Sequence, residues 1–366
     1  MENDRELKAI EKIVTLSIIR SDANSVFSLM KSEHDPVFAL LIIPYYALFV
    51  QSCQEFFNVF LKEEPAAFII RHIRNHIKKY ADGFEKAEKE ISQVNKEHDQ
   101  HFRDQLSFDF LKAGNIHYNI GTYWNDSRQI VGNTQMIAAF LGIKDVFSQE
   151  SKSILKDVGY QLGAFVNTIR NGIPDAVSAE DTIRVESKIS IDWYADYNTD
   201  NYKEYAGAIN NKHHTILYLN VLCGLNFVRH VLKPMFDDNN NWMLRIEYIN
   251  TYYCHRALKR FSDYHVSKKL LHKDNEISRI LETGSELFNT SFRNCMMHYN
   301  LEDRKILKRE YIDRPYFGLV ESCFSGMDYY TYRNRLTGYQ SSLIDFINQK
   351  FYFEGMQLKK LTNNDV

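Results

Sequence analysis

The chain has 366 residues, of which 44% are hydrophobic and 25% charged, a composition typical of a globular protein and not of a disordered one. Its formal net charge of −2 excludes a strongly basic surface over the whole molecule, so binding of any polyanion must depend on a local basic patch. With only 6 Pro and 15 Gly, turns are few, which favours long helices over an architecture of many strands.

Cysteine usage and hydropathy indicate the compartment. The five cysteines are scattered and contain no Cys-x-x-Cys pair, as is typical of reduced residues in a cytoplasmic protein. The first residues lack the basic and then apolar layout of a signal peptide. The most apolar stretch, residues 37–50, contains Pro44 and is too short to span a bilayer. We therefore expect a cytoplasmic protein that does not contact a membrane.

In chain order, the first half is predicted to be mostly helical. Helices are predicted over residues 5–19, 36–61, 65–101 and 153–170. In the third of them, apolar residues at three- and four-residue spacing mark one helix face. The period then changes, because apolar and polar residues alternate over 183–194, which predicts a strand or hairpin. The polar run 198–201 follows, and we place the domain boundary there.

The second half is predicted to be a helical bundle. Its helices cover residues 205–232, 242–264, 274–299, 316–323 and 337–351. The predicted fold class is all-α, with one short β-hairpin or strand pair between a mostly helical N-terminal half and the bundle. The domains are 1–178, which senses, regulates or completes a groove; 179–200, the strand connector; 201–330, the bundle; and 331–366, a C-terminal helix and tail.

The motif that carries chemistry lies late in the predicted helix over 274–299. Arg293-Asn294 is followed by His298-Tyr299, with three residues between the pairs. Asn294 and His298 are four apart and share one helix face. Arg293 and His298 are five apart, which places them roughly 140° from each other around the helix. One helix therefore does not easily direct both side chains at one phosphate, whereas two copies of the helix could present Arg and His to a shared groove.

This Arg-Asn-x-x-x-His-Tyr pattern, on the last long helix of a bundle, resembles the signature of the HEPN superfamily. The resemblance covers the last 130 to 160 residues approximately and implies that the bundle over 201–330 is of HEPN type. In that family the Arg-x4-6-His motif cleaves RNA without a metal, typically with two motifs facing each other across a dimer. Many members are toxins or anti-phage defence nucleases, and some keep the fold without activity.

The residue types suit this chemistry. His298 is suited to act as a base near neutral pH, and Arg293 supplies permanent positive charge where negative charge builds up on phosphorus. Asn294 is expected to orient His298 or to donate to a phosphate oxygen, and Tyr299 to stack on a base. Asn289 and Glu286 are candidates to orient the guanidinium of Arg293.

An N-terminal basic cluster lies in the predicted helix over 65–101. Arg71 and His76 repeat the Arg-x4-His spacing, but the Asn in this cluster follows Arg74. The alternatives are a second motif, a chance match on a basic helix face, and a phosphate-binding patch. The candidate RNA-binding residues of the patch are Arg71, Arg74, Lys78 and Lys79. The pairs His72/His76 and His98/His101 lack further ligands at a known spacing, so no metal site is expected.

The sequence therefore predicts a metal-independent RNA endonuclease without a cofactor. Its catalytic residues are Arg293, His298 and Asn294, with Tyr299, Asn289 and Glu286 in support. The expected partners are RNA, a second copy of the chain in a homodimer, and a regulatory protein or nucleotide as trigger. The alternative function is a catalytically inactive HEPN-like module that binds a nucleotide or a protein. A purely structural helical scaffold is the third reading.

Overall fold

The computed structural model describes residues 2–32, 34–104, 118–143, 145, 148–174, 190–207, 209, 211–268, 275–299, 301, 306–353 and 357–361, and it describes the backbone alone for residues 2–5, 78–82 and 275. Within these residues the chain is mostly helical and carries a small antiparallel sheet of four strands. The predicted helical character is confirmed. The prediction of an all-α chain with a single strand pair is wrong in its strand content.

The first four helices are α1 (Glu2–Lys31), α2 (Pro36–Phe57), α3 (Ala66–Asp82) and α4 (Phe84–Asp104). Helix α2 begins after Asp35, whose carboxylate accepts a hydrogen bond from the Phe38 N–H at 2.7 Å. It ends at Asn58, whose left-handed backbone (φ 53°) directs its N–H to the Gln54 carbonyl. The single helix predicted over 65–101 is wrong, because the chain breaks at Gly83, a residue type with a high entropic cost in a helix.

The sheet consists of β1 (Ile120–Trp124), β2 (Ile130–Asn133), β3 (Trp193–Tyr197) and β4 (Lys359–Lys360), in the order β2-β1-β3-β4. Strands β1 and β2 form a hairpin, in which the Asn125 side chain accepts a hydrogen bond from the Gln129 N–H at 2.9 Å. This hairpin was not predicted from the sequence. The strand predicted over 183–194 lies mostly outside the described residues, and only its last two residues belong to β3.

The helices that follow β2 along the chain run from the N-terminal half into the C-terminal half. They are α5 (Thr134–Leu141), α6 (Gln149–Gly172), α7 (Lys212–Asn226), α8 (Asn241–Ser267), α9 (Asn275–Ser285), α10 (Thr290–His298), α11 (Leu319–Cys323) and α12 (Tyr329–Asn348). Helix α7 continues into a π-helical turn, Phe227–Leu232. The predicted helices over 153–170 and 242–264 are confirmed within the longer α6 and α8. The helix predicted from residue 205 begins later, after the Asn211 cap of α7.

The helix predicted over 274–299 is in fact two helices, α9 and α10. Gly284 lies so close to α12 that a Cβ atom there would be 2.1 Å from the ring of Tyr339. Asn289 caps a new helix, because its side-chain oxygen accepts hydrogen bonds from the N–H groups of Ser291 (2.8 Å) and Phe292 (3.1 Å). The Arg-Asn-x-x-x-His motif therefore occupies a short helix with its own cap.

Apolar side chains from both halves of the sequence join in one buried cluster. Helix α2 packs against α3 and α10, and α1 packs against α8. Phe49 of α2, for example, meets the ring of Tyr299 edge-on at 6.3 Å between centroids. The N-terminal helices therefore position the end of α10, while the division into four domains stays a prediction.

Two segments are long and apolar enough to cross a membrane by length and composition alone, Pro36–Phe57 and Lys212–Met235. In each of them 78% of the apolar window is buried inside the protein. Burial in the core is therefore a sufficient reason for their composition.

Candidate active site

The beginning of α10 is fixed by its cap. Besides accepting hydrogen bonds from the α10 backbone, the Asn289 amide donates to the Cys323 carbonyl at 2.9 Å. Both ends of the amide are therefore engaged with backbone groups. The prediction that Asn289 orients the guanidinium of Arg293 is wrong, because Asn289 serves as the cap of the helix that carries Arg293.

The end of α10 is fixed by Tyr299, which is only 2% exposed. Its hydroxyl donates a hydrogen bond to the Asp22 carboxylate of α1 at 2.5 Å, and the Arg245 guanidinium of α8 stacks 3.6 Å above its ring. Burial raises the pKa of this hydroxyl well above its ordinary value, so it stays protonated and donates. The prediction that Tyr299 stacks on an RNA base is therefore wrong. The residue anchors the helix in the core.

His298 is the last residue of α10, and its side chain is 41% exposed. Its Nδ1 atom lies 2.7 Å from Oε2 of Glu55, near the end of α2. Beside it, the Ser52 hydroxyl donates to the Met297 carbonyl at 2.6 Å and ties the last turn of α10 to α2. A carboxylate accepts hydrogen bonds only, so the proton of a neutral His298 is assigned to Nδ1 and Nε2 keeps its lone pair.

Glu55 joins His298 to the N-terminal basic cluster. Its other oxygen, Oε1, accepts a hydrogen bond from the Gln51 amide at 2.8 Å and pairs with Nη2 of Arg74 in α3 at 3.1 Å. Partial burial alone would raise the pKa of the Glu55 carboxyl. The hydrogen bonds from His298 and Gln51 and the charges of His298 and Arg74 outweigh it and lower the pKa below its ordinary value. Glu55 is therefore an anion beside His298 at neutral pH.

Arg293 lies on another side of α10. Its Nη2 and Nε atoms donate to the Asn294 side-chain oxygen at 2.8 and 3.2 Å, and Asn294 is 6% exposed. Asn294 therefore holds the guanidinium of Arg293. No hydrogen bond between Asn294 and His298 occurs in the part of the chain that the structure describes. The interpretation of Asn294 as an orienting residue for His298 is wrong, because its oxygen is engaged by the preceding residue.

Arg293 lines a polar cleft of about 430 Å³ between α8 and the turn that joins α9 to α10. One face of α8 forms the opposite wall, at the three- and four-residue spacing of a helix, with Tyr252, His255, Arg256, Lys259, Arg260 and Asp263. With Arg293, this wall provides four Arg or Lys residues against one Asp. Burial and the charges of Lys259 and Arg256 lower the pKa of His255 to about 4, so that His255 is neutral near pH 7.

His298 is not one of the residues that line this cleft. Within one chain, the structure brings His298 together with Glu55 and Arg74, and Arg293 together with the basic face of α8. This separation agrees with the angle expected from their five-residue spacing.

Two further predicted residues have other partners. The exposed carboxylate of Glu286 pairs with Arg335 of α12 at 2.6 Å, so the prediction that Glu286 orients Arg293 is wrong. Arg71 pairs with Glu64 at 2.7 Å, and its side chain is 61% exposed. Among the other candidate RNA-binding residues of the N-terminal basic cluster, Arg74 contacts Glu55, whereas the side chains of Lys78 and Lys79 lie outside the described residues.

The histidines of the N-terminal basic cluster point into the protein. Nε2 of His72 lies 2.8 Å from the Ala139 carbonyl, and the buried His76 lies 2.9 Å from the Glu90 carboxylate. The alternative that Arg71 and His76 form a second catalytic motif is therefore wrong, because His76 is only 3% exposed and cannot reach a substrate. Among the described residues, no group of three or more His, Cys, Asp or Glu side chains could hold a metal ion.

Sequence reasoning missed Glu55 and the basic face of α8. The face could have been found, because its residues recur every three or four positions in one predicted helix. Glu55 carries no local signal, since it lies 243 residues from His298 along the chain. Comparison with protein-family models, with curated proteins and with solved structures finds no match to this chain.

Proposed function

We propose that this protein is a metal-independent RNA endonuclease, with His298 as its proton-transfer residue. The observation that carries the proposal is the position of His298. It is the last residue of the motif helix, it is 41% exposed, and its Nδ1 atom is bonded to a carboxylate at 2.7 Å. An imidazole held in this way offers the lone pair of Nε2 to a substrate as a proton acceptor.

In the proposed reaction, Nε2 of His298 takes the proton of an RNA 2′-hydroxyl. The 2′-oxygen attacks the adjacent phosphorus, and the bond from phosphorus to the 5′-oxygen of the next nucleotide breaks. The departing 5′-oxygen takes a proton from solvent water, so the products are a 2′,3′-cyclic phosphate and a 5′-hydroxyl. His298 then returns its proton to solvent. Glu55 acts as a positioning residue, because its carboxylate fixes the imidazole ring and stabilises the imidazolium that forms.

Arg293 is proposed to neutralise phosphate charge from its own cleft. The basic face of α8 suits the backbone of single-stranded RNA, and Tyr252 and Phe288 add aromatic surface to it. Because Arg293 and His298 of one chain lie on different sides of α10, we propose a homodimer in which the motif helices of two copies face each other. This arrangement is the one that the resemblance to the HEPN superfamily implies.

The cellular role is proposed from the same resemblance. A cytoplasmic toxin or anti-phage defence effector, activated by a regulatory protein or a nucleotide, agrees with a nuclease that must be restrained in the cell. This part of the proposal depends on analogy at the level of the family and not on a feature of the site.

One observation favours the second candidate function, an inactive HEPN-like binding module. Among the described residues that line it, the cleft beside Arg293 has four cationic side chains and no exposed histidine, which is the composition of a phosphate-binding site rather than of a proton-transfer site. A nucleotide bound there without turnover would support this alternative.

The test is cleavage of total RNA and of tRNA in EDTA by the wild type, Arg293→Ala and His298→Ala. Arg279→Ala, an exposed position on α9, is the matched control. We expect cleavage by the wild type and the control, and a loss of at least about 100-fold in each motif variant. If His298→Ala cleaves as fast as the wild type, the assignment of His298 is wrong.

A further inference from the structure

We propose that Arg74 of α3 is a phosphate-binding residue of the His298 site, so that the N-terminal half contributes a cation to the active site of its own chain. This inference rests on the proposed nuclease function. It assigns to that function a residue outside the motif helix and outside the bundle.

The geometry of Glu55 carries the argument. Its Oε2 atom contacts His298 at 2.7 Å and its Oε1 atom contacts Nη2 of Arg74 at 3.1 Å. The imidazole and the guanidinium are therefore held on the two oxygens of a single carboxylate. Packing of α2 against both α3 and α10 keeps the three side chains together. A phosphodiester next to His298 consequently lies beside the guanidinium of Arg74.

The exposure of Arg74 leaves it able to bind a ligand. Its side chain is 55% exposed, whereas the carboxylate that holds it is 24% exposed. A guanidinium has five N–H donors, and the contact with Glu55 engages one terminal nitrogen. The other donors can bind phosphate oxygens while the pair with Glu55 is kept. An arginine is suited to this task, because its charge is permanent and its planar fork matches two phosphate oxygens.

The site needs such a cation. Transfer of a proton to His298 leaves negative charge on the phosphorane, and catalysis requires a positive group fixed close to it. Arg293 of the same chain is bonded to Asn294 and lines the cleft on the other side of α10. Arg74 is the cation that Glu55 brings to the imidazole.

Arg71 offers a matched control on the same helix. It lies nearly one turn before Arg74 and is about equally exposed, at 61%, but its partner is Glu64 instead of Glu55. Removal of either arginine changes the net charge of the protein by the same amount. A difference between the two variants therefore reports position and not overall charge.

The experiment measures the binding of a single-stranded 2′-O-methyl oligoribonucleotide, which lacks the attacking hydroxyl, by fluorescence anisotropy over a range of KCl concentrations. We expect Arg74→Ala to weaken binding by about tenfold. The slope of log K against log salt should fall by about 0.7, the value for the loss of one phosphate contact on a single strand. Arg71→Ala removes a cation of the same helix that Glu55 does not hold, so it should change both quantities less than Arg74→Ala does. Arg74→Lys should restore the slope but only part of the affinity.

Equal effects of Arg71→Ala and Arg74→Ala, or an unchanged salt slope in Arg74→Ala, would overturn the inference. So would a wild type that does not bind the oligonucleotide. Cleavage in EDTA is scored separately on the same proteins. If the wild type binds with the expected dependence on Arg74 but never cleaves, the nuclease proposal fails and the phosphate-binding role of Arg74 stands.

Discussion

Substitution of Tyr299 by phenylalanine removes one oxygen atom from the buried group that anchors the motif helix. The ring, its contact with Phe49 and the stacked guanidinium of Arg245 remain. The hydrogen bond to the Asp22 carboxylate at 2.5 Å is lost, and Asp22 keeps a longer contact to Arg245 at 3.9 Å. The substitution therefore isolates a single buried, charge-assisted hydrogen bond.

The expected cost follows from that bond. A hydrogen bond to a charged group contributes about 1.5–3 kcal/mol, and we expect a loss of about 2 kcal/mol in the free energy of unfolding. Unfolding entropies are about 2.1 cal/mol/K per residue, so for a chain of 366 residues this loss lowers the unfolding temperature by about 3 °C. The measurement is thermal unfolding followed by circular dichroism.

The control is Tyr160→Phe, because Tyr160 is 79% exposed and its hydroxyl is surrounded by solvent. Its unfolding temperature should stay within about 1 °C of the wild type. If Tyr299→Phe unfolds at the temperature of this control, the anchoring role of Tyr299 is wrong.

Three further predictions concern Glu55, His98 and Gly284. Glu55→Gln should keep the shape of the site but lose the charge beside His298, and we expect kcat for RNA cleavage to fall by at least about tenfold with little change in KM. Burial, followed by the charge of His101, lowers the pKa of His98 to about 4. Between pH 6.5 and 4, His98 therefore binds a proton in the unfolded state but not in the folded state. The contribution of the neutral His98 to stability is present above pH 6.5 and is lost as the pH falls. Urea titrations of the wild type should show that the free energy of unfolding falls by on the order of 2 kcal/mol over this pH range, and His98→Gln should lack this fall. Gly284→Ala should cost about 1–3 kcal/mol in the same titrations, because the new methyl group overlaps Tyr339.

The predictions for Glu55 and Gly284 each have a control in the same chain. Glu64→Gln removes the exposed partner of Arg71 and should leave kcat unchanged. Gly172→Ala adds a methyl group where no atom lies within 4 Å, so it should not reproduce the loss expected of Gly284→Ala. A pH dependence of stability that is identical in the wild type and His98→Gln would show that His98 does not bind protons on unfolding.

Much of the helical structure could be predicted, because apolar residues at three- and four-residue spacing mark the buried faces of α3 and α6, and a long apolar run marks the buried α2. The break between α9 and α10 could not. Periodicity continues through residues 286–289, and the need for glycine at 284 arises from the approach of Tyr339, a tertiary contact. The β1–β2 hairpin was missed, although aromatic and β-branched residues flank an Asn-Asp turn at 125–126.

The residues of the candidate site also fall into those that the sequence predicts and those that only the structure reveals. Arg293, Asn294 and His298 were found from one short motif, because residues on one helix carry their relation in the sequence. The partners that define their roles come from distant positions. Glu55 and Asp22 lie 243 and 277 residues from the residues they contact, His298 and Tyr299. Only the packing of α2 against α10 shows that His298 is oriented by a carboxylate, and only the hydrogen bond to Asp22 of α1 shows that Tyr299 is an anchor.

The most direct test of the proposed nuclease is the dependence of cleavage on the 2′-hydroxyl. A short RNA with one site cleaved by the wild type is compared in EDTA with the same RNA carrying a single 2′-deoxynucleotide on the 5′ side of that site. We expect the unmodified RNA to yield a fragment ending in a 2′,3′-cyclic phosphate and the modified RNA to stay intact at that site. Cleavage of the modified RNA at that site, or loss of all cleavage in EDTA, would contradict it.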